Sequence, residues 1–335
     1  METLKQGRGL CRTDTFKVTI FAILALAGWG DGSAADYPAK PIILVVPSPA
    51  GGATDVVARI ISESLSQKIG QRIVIENRSG ASGAIGARMV ASAAADGYTV
   101  LFCNSATHGG NPIFMHDPGY DALKDFIPVV RIASVPFILV VNSQLPVNSV
   151  KDLIALAKSK PGGLRMGFAG IGSFNHIVGE LFQHQTSTEF LAVPYKGTNE
   201  VITGVVGGHI DLGFPTPGES LPMIADGRLR ALMVTNTKRL PALPNVPSAV
   251  ELGLRDSVLL GWGGLCVPAG TPSAAVKALN EHTLSAILAQ PMRSDLERSG
   301  YEIEANNPEA FAQFMRSEIQ RIGDLVRQRG IHAEK

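Results

Sequence analysis

Thirty basic residues against 29 acidic ones, three cysteines and two tryptophans leave this 335-residue chain short of the materials from which several functions are built. No basic run occurs and aromatic residues make up only 6%, which argues against a nucleic-acid partner held by phosphate contacts and stacking. There is no Gly-x-Ser-x-Gly elbow and no Gly-Lys-Ser/Thr phosphate loop, and Gly80, Gly83 and Gly86 have the wrong spacing for a dinucleotide fingerprint. The histidines form no i,i+4 pair, and His176 and His184 stand two helical turns apart, too far to converge on one ion. Neither a metal nor an organic cofactor is expected.

Long hydrophobic runs are also missing, except one. Lys5, Arg8, Arg12 and Lys17 precede an apolar stretch over 18–29, and Ser33-Ala34-Ala35 offers the small residues that a signal peptidase requires. Residues 1–35 therefore read as a cleaved secretory signal, with an uncleaved anchor as the alternative. Cys11 lies ahead of the apolar run, where it cannot serve as a lipoprotein cysteine. Cleavage removes four basic and three acidic residues and leaves a neutral mature chain with 26 of each, expected to be soluble and periplasmic. Its length suggests about two domains, and 45% hydrophobic residues suffice for a large core. Cys103 and Cys266 each end an apolar strand-like run, so they either bridge neighbouring strands or remain two buried thiols.

What the chain does have is a repeated strand, small-residue loop, helix pattern. Apolar β-branched residues 42–46 run into Pro49-Ala50-Gly51-Gly52-Ala53-Thr54-Asp55, and a helical stripe follows at Val57, Ile60, Ile61, Leu65 and Ile69 before Gly70. Further strands are expected at 72–76, 98–103, 127–131, 137–142, 165–169, 193–195 and 210–214. Helices are expected at 150–159, 174–185 and 198–206. The alternation predicts an α/β chain with mostly parallel sheet and sites at the carboxyl ends of strands. Three such ends carry small polar residues: 48–55, 104–108 and 170–173. A Gly-Gly turn ahead of a helix exposes amide hydrogens with the helix dipole behind them, suited to a carboxylate or a phosphate. Ser105 and His108 also admit a hydrolase reading, although a pair three apart on a loop is the ordinary pattern of a hydrogen-bonding turn.

These segments carry a specific resemblance. The turn just quoted with Ala58-Arg59, Glu76-Asn77-Arg78-Ser79-Gly80-Ala81-Ser82-Gly83, Asp96-Gly97-Tyr98-Thr99, Val193-Pro194-Tyr195-Lys196-Gly197 and Pro268-Ala269-Gly270-Thr271-Pro272 occur in order along the mature chain. The sequence resembles the solute-binding receptors of tripartite tricarboxylate transporters, the Bug-type periplasmic binding proteins. The resemblance implies a type II periplasmic-binding fold, α/β in class, with one lobe from 36–136 plus 261–335, a second from 137–260, and hinges near Pro136 and Gly261. It implies capture of a small carboxylate (an organic, amino or aromatic acid) for membrane transporter subunits, by a monomer that is not an enzyme. Ser48, Pro49, Gly51, Gly52, Ala53 and Asp55 fall in the first binding loop, Ser105, Ala106, Thr107 and His108 in the second, and Gly172, Ser173 and His176 come from the other lobe. Lys196 is the candidate cation, and Thr216, in Pro215-Thr216-Pro217-Gly218, is expected where the far end closes. Asp55 reads equally as a helix cap or a ligand contact, whereas His176 reads first as a hydrogen-bonded structural residue and only second as a contact. The rival roles are a ligand sensor feeding a signalling receptor and a serine hydrolase using Ser105 or Ser173.

Overall fold

The computed structural model describes residues 37–328; the expected signal segment lies outside them. The chain starts as β1 (Ile42–Val46), α1 (Ala53–Ile69), β2 (Ile73–Asn77), α2 (Ala84–Ala91) and β3 (Thr99–Asn104). A π-helical turn, Ala106–Gly110, leads into α3 (Asn111–Phe114) and then β4 (Phe126–Pro136). Next come β5 (Ile138–Asn142), α4 (Val150–Ser159), β6 (Arg165–Phe168), α5 (Phe174–Thr186), β7 (Leu191–Pro194) and α6 (Thr198–Val206). After β8 (Leu212–Gly213), α7 (Pro217–Ala225) and β9 (Leu229–Val234), the chain returns through β10 (Leu260–Pro268). It ends with α8 (Ser273–Ile287), α9 (Met292–Arg298), β11 (Glu302–Ile303) and α10 (Pro308–Gln328).

These strands form two sheets, ordered β11-β4-β10-β3-β1-β2 and β7-β6-β8-β5-β9. The expectation of a mostly parallel arrangement is corrected. Only β1 with β2 and β3, and β6 with β7 and β8, are parallel; β10 with β3 and β4, β11 with β4, and β5 with β8 and β9 are antiparallel. The reason is the traffic between sheets. A helix after a strand returns the chain for a parallel neighbour, whereas the chain leaves the first sheet along β4 and re-enters it along the adjacent β10, so these neighbours run in opposite directions. β4 exceeds the expected 127–131 because Ala133 and Ser134 dilute its apolar pattern, while the strand expected at 210–214 shrinks to Leu212–Gly213.

Packing follows the sequence periods closely. Val57, Ile61, Leu65 and Ile69 of α1 are buried, and Gly70 ends the helix at φ 70° with its amide on Ser66 O at 3.1 Å. On α10, Phe311, Met315, Ile322 and Val326 are buried, and Trp262 of β10 meets Phe311 and Phe314 edge-on at 5.6 and 5.5 Å. Burial of each such side chain is worth about 1.5–3 kcal/mol. Cys103 of β3 and Cys266 of β10 lie on adjacent antiparallel strands, Cα atoms 5.8 Å apart, and are joined as a disulfide. Where the chain passes between sheets, Thr235 ties the crossings together. Its hydroxyl accepts from Phe137 N at 2.8 Å and donates to Leu259 O at 2.9 Å, and its amide donates to Phe137 O at 2.9 Å.

Candidate functional site

A cavity of about 830 Å³ opens where the two sheets face each other. Its rim is built from strand ends and helix starts. Ala53 and Thr54 open α1, Gly83 precedes α2, Ser173 and Phe174 open α5, Gly197 and Thr198 open α6, and Thr216 precedes α7. Five helices thus direct their N-terminal ends at one space, and the π-helical turn beginning beside Ser105 adds a sixth set of amides. Each terminus carries roughly half a positive charge. Among the described lining residues Lys196 is the one cationic side chain and Glu200 the one carboxylate, and they share a segment: Lys196 N donates to Glu200 Oε2 at 3.0 Å.

Of the residues singled out from sequence, Ser48, Pro49, Gly52, Ala53, Ser105, Ala106, Ser173, Lys196 and Thr216 line this cavity. Gly51, Asp55, Thr107, His108, Gly172 and His176 do not, and each has a structural task instead. Gly51, at φ +79°, makes the turn, and its amide donates to Asp55 Oδ2 at 2.8 Å. Asp55 also accepts from Arg59 Nε and Asn77 Nδ2, both at 2.8 Å, while Asn77 Nδ2 reaches Ser48 O at 3.1 Å. Burial pushes the Asp55 carboxyl up, but Arg59, the Gly51 amide and Asn77 outweigh it and hold it below the usual carboxylate range. This aspartate clamps the loop.

The second loop turns out to be helical from its first residues. Asn104 Oδ1 accepts from the amides of Ala106 and Thr107 at 3.1 and 3.0 Å, which winds the segment into the π-turn and draws Thr107 inward. His108 is fully buried, edge-on to Phe126 at 4.7 Å, with Nδ1 3.0 Å from Thr107 Oγ1 and Nε2 unpartnered. Burial pushes its imidazole down to about 3. A Ser105–His108 dyad is not assembled. His176 lies under Phe168 at 4.4 Å, receives Gly172 N at 3.4 Å on Nδ1, and is pushed by burial to about 4. Gly172 sits so near the π-turn that a Cβ on Gly110 would come within 1.8 Å of its carbonyl oxygen.

Several contributors escaped the sequence reading. Ser82 lines the cavity and donates to Ile171 O at 2.6 Å across the two sheets, from a loop where Ala81 and Ser82 both hold positive φ. Asn199 Nδ2 donates to Gly51 O at 2.8 Å. Glu219 completes the closure: Oε2 accepts from Thr216 N and Oγ1 at 3.2 and 2.8 Å, while Oε1 accepts from Thr198 Oγ1 and, at 3.2 Å, from Ala53 N in the first turn of α1. The Thr216-x-x-Glu219 spacing of a capping box was the available signal, and Pro217 at the first helical position explains prolines where a freer loop was expected. Phe102, Phe137, Trp262 and Tyr301 also reach the cavity wall.

Two α/β sheets around a cleft ringed by helix N-termini define a periplasmic binding protein of the type II kind. Residues 57–331 match the tripartite tricarboxylate transporter family receptor, and the chain belongs to that family of solute-binding receptors. BugT of Bordetella pertussis is 34% identical over 309 residues, 92% of this chain and 95% of BugT. The structure of R. palustris Rpa4515 with adipate superposes with a TM-score of 0.85 at 36% identity, covering 89% of this chain and 99% of that one. MatC from Rhodopseudomonas palustris with bound malate gives 0.82 at 31% identity, covering 87% and 100%. Among the described residues no helix is long and apolar enough to cross a membrane, and no cluster of three His, Cys, Asp or Glu side chains is placed to hold a metal.

Proposed function

We propose that this chain is exported by its N-terminal signal, captures a carboxylate-bearing solute in the cleft as a monomer without chemical turnover, and hands it to membrane subunits of a tripartite transporter. The observation that carries this reading is the convergence of five helix N-termini on a cavity in which Lys196 is the one cationic side chain among the described residues. Amide hydrogens backed by helix dipoles hold an anion without a dedicated cation. The adipate and malate seen in Rpa4515 and MatC are anions of this kind. The separation of Ser105 from His108 favours capture over hydrolysis.

The lobes would be 36–136 plus 261–335 and 137–260, with hinges near Pro136 and Gly261, and Ser48, Gly52, Ala53, Ser105, Ala106, Ser173, Lys196 and Thr216 facing the ligand. Closure would tighten the contacts Asn199–Gly51, Ser82–Ile171 and Glu219–Ala53 that already bridge the sheets. Thermal unfolding against carboxylates and their amides tests the reading. A solute at a hundred times its Kd adds about 2.7 kcal/mol, read as a rise in Tm. A rise with an acid and none with its amide supports capture through the amides. Equal rises overturn it.

A further inference from the structure

The cavity has two unlike sides. One is the ring of helix starts, together with the segment that holds its only described charged side chains, Lys196 and Glu200. The other is the crossover wall, made where β4 passes into β5 and β10 runs back beside it. Val135 pairs with Gly261 and Ala133 with Gly263. Glycines at these two positions of β10 let aromatic rings lie directly on the strand. A Cβ at Gly263 would stand 2.6 Å from the Phe102 ring, and one at Gly261 would stand 3.2 Å from Phe137 Cζ. With Ile132 and Val135 the wall presents rings and aliphatic carbon, and Tyr301 is its one ionisable side chain among the described residues, a phenol that burial keeps neutral.

From this division we infer that the solute is a monocarboxylate with an aromatic body, its carboxylate on the helix-start side and its ring against the crossover wall. The inference rests on the capture reading above and narrows it. A second carboxylate on the ligand would be pressed against Phe102, Val135 and Phe137, stripped of water and given no cation in exchange. A flat ring finds edge and face contacts there and releases water from apolar surface. A cavity of about 830 Å³ is also far roomier than a four-carbon dicarboxylate requires, and an apolar body fills it without retained water.

The test is a binding panel on the purified protein, freed of any carried-over solute by unfolding and refolding. Calorimetry is run with phenylacetate, 2-naphthoate, malate, adipate and phenylacetamide on the native sequence and on Phe102→Leu, whose fold is checked by thermal melting. The expected result is that one of the aromatic acids binds at least tenfold more tightly than malate and adipate and loses at least threefold in affinity in Phe102→Leu. Malate or adipate binding equally well or better overturns the aromatic assignment and leaves carboxylate capture standing. An aromatic acid that binds folded Phe102→Leu as tightly as the native sequence also overturns it, because the ring is then not on this wall. Phenylacetamide binding as tightly as phenylacetate overturns the capture reading itself, and binding of none of the five overturns both.

Discussion

Glu219 places a carboxylate of the chain's own on the first turn of α1, 166 positions away in sequence, beside the place proposed for the solute's carboxylate. Two anions near one helix terminus repel each other. Glu219→Gln keeps the side chain's shape and the Thr216 cap but removes that charge, so carboxylate affinity is expected to rise severalfold while stability falls by about 1 kcal/mol. Calorimetry and denaturant melts read the two effects separately. The buried histidines make a second prediction. His108, held near 3, and His176, near 4, stay neutral in the fold but accept protons near 6.5 once unfolded. The unfolded chain therefore binds more protons below pH 6.5. Stability is full above that pH and falls as it drops toward 4, by about 1.4 kcal/mol per pH unit for each histidine in the steep part. A Tm series from pH 7.5 to 4 should show the decline, and His108→Gln should flatten it.

Among the elements, those with a regular period were legible: the α4 and α6 boundaries were read directly, as was the β1 to α1 glycine turn. What escaped has a physical cause. A residue at a crossover that lines a cavity is as apolar as one in the core, so Phe137 looks in sequence like any buried aromatic. The Thr216 to Glu219 capping box is a local signal, but its reach to Ala53 is tertiary. The π-turn depends on Asn104 capping its own neighbours, which turned an expected loop inward at Thr107 and His108. Thr235 illustrates the same limit, since one hydroxyl joins β5's start to the end of the 235–259 connection. Thr235→Val preserves shape and leaves Phe137 N and Leu259 O without their partner, at a cost of about 2–4 kcal/mol in a denaturant melt. A loss under about 0.5 kcal/mol would show the crossings to be held by packing alone.

For the whole molecule, the Cys103–Cys266 bond matters most through the length it encloses, a separation of 163 residues. On the chain-entropy account, closing such a loop stabilises the fold by about 5 kcal/mol at 25 °C. Both cysteines are fully buried, so native protein should resist mild reductant, whereas protein unfolded, reduced and refolded, or the Cys103→Ala/Cys266→Ala double variant, should melt well below the oxidised form. Equal melting temperatures would show the apolar contact between β3 and β10 to suffice. The strands β5 to β9, and with them the entire second sheet, lie inside this covalent ring. Cutting a ring once does not divide it. A protease that nicks the chain anywhere between residues 104 and 265 therefore leaves both fragments attached, and the damage shows as two bands only after reduction.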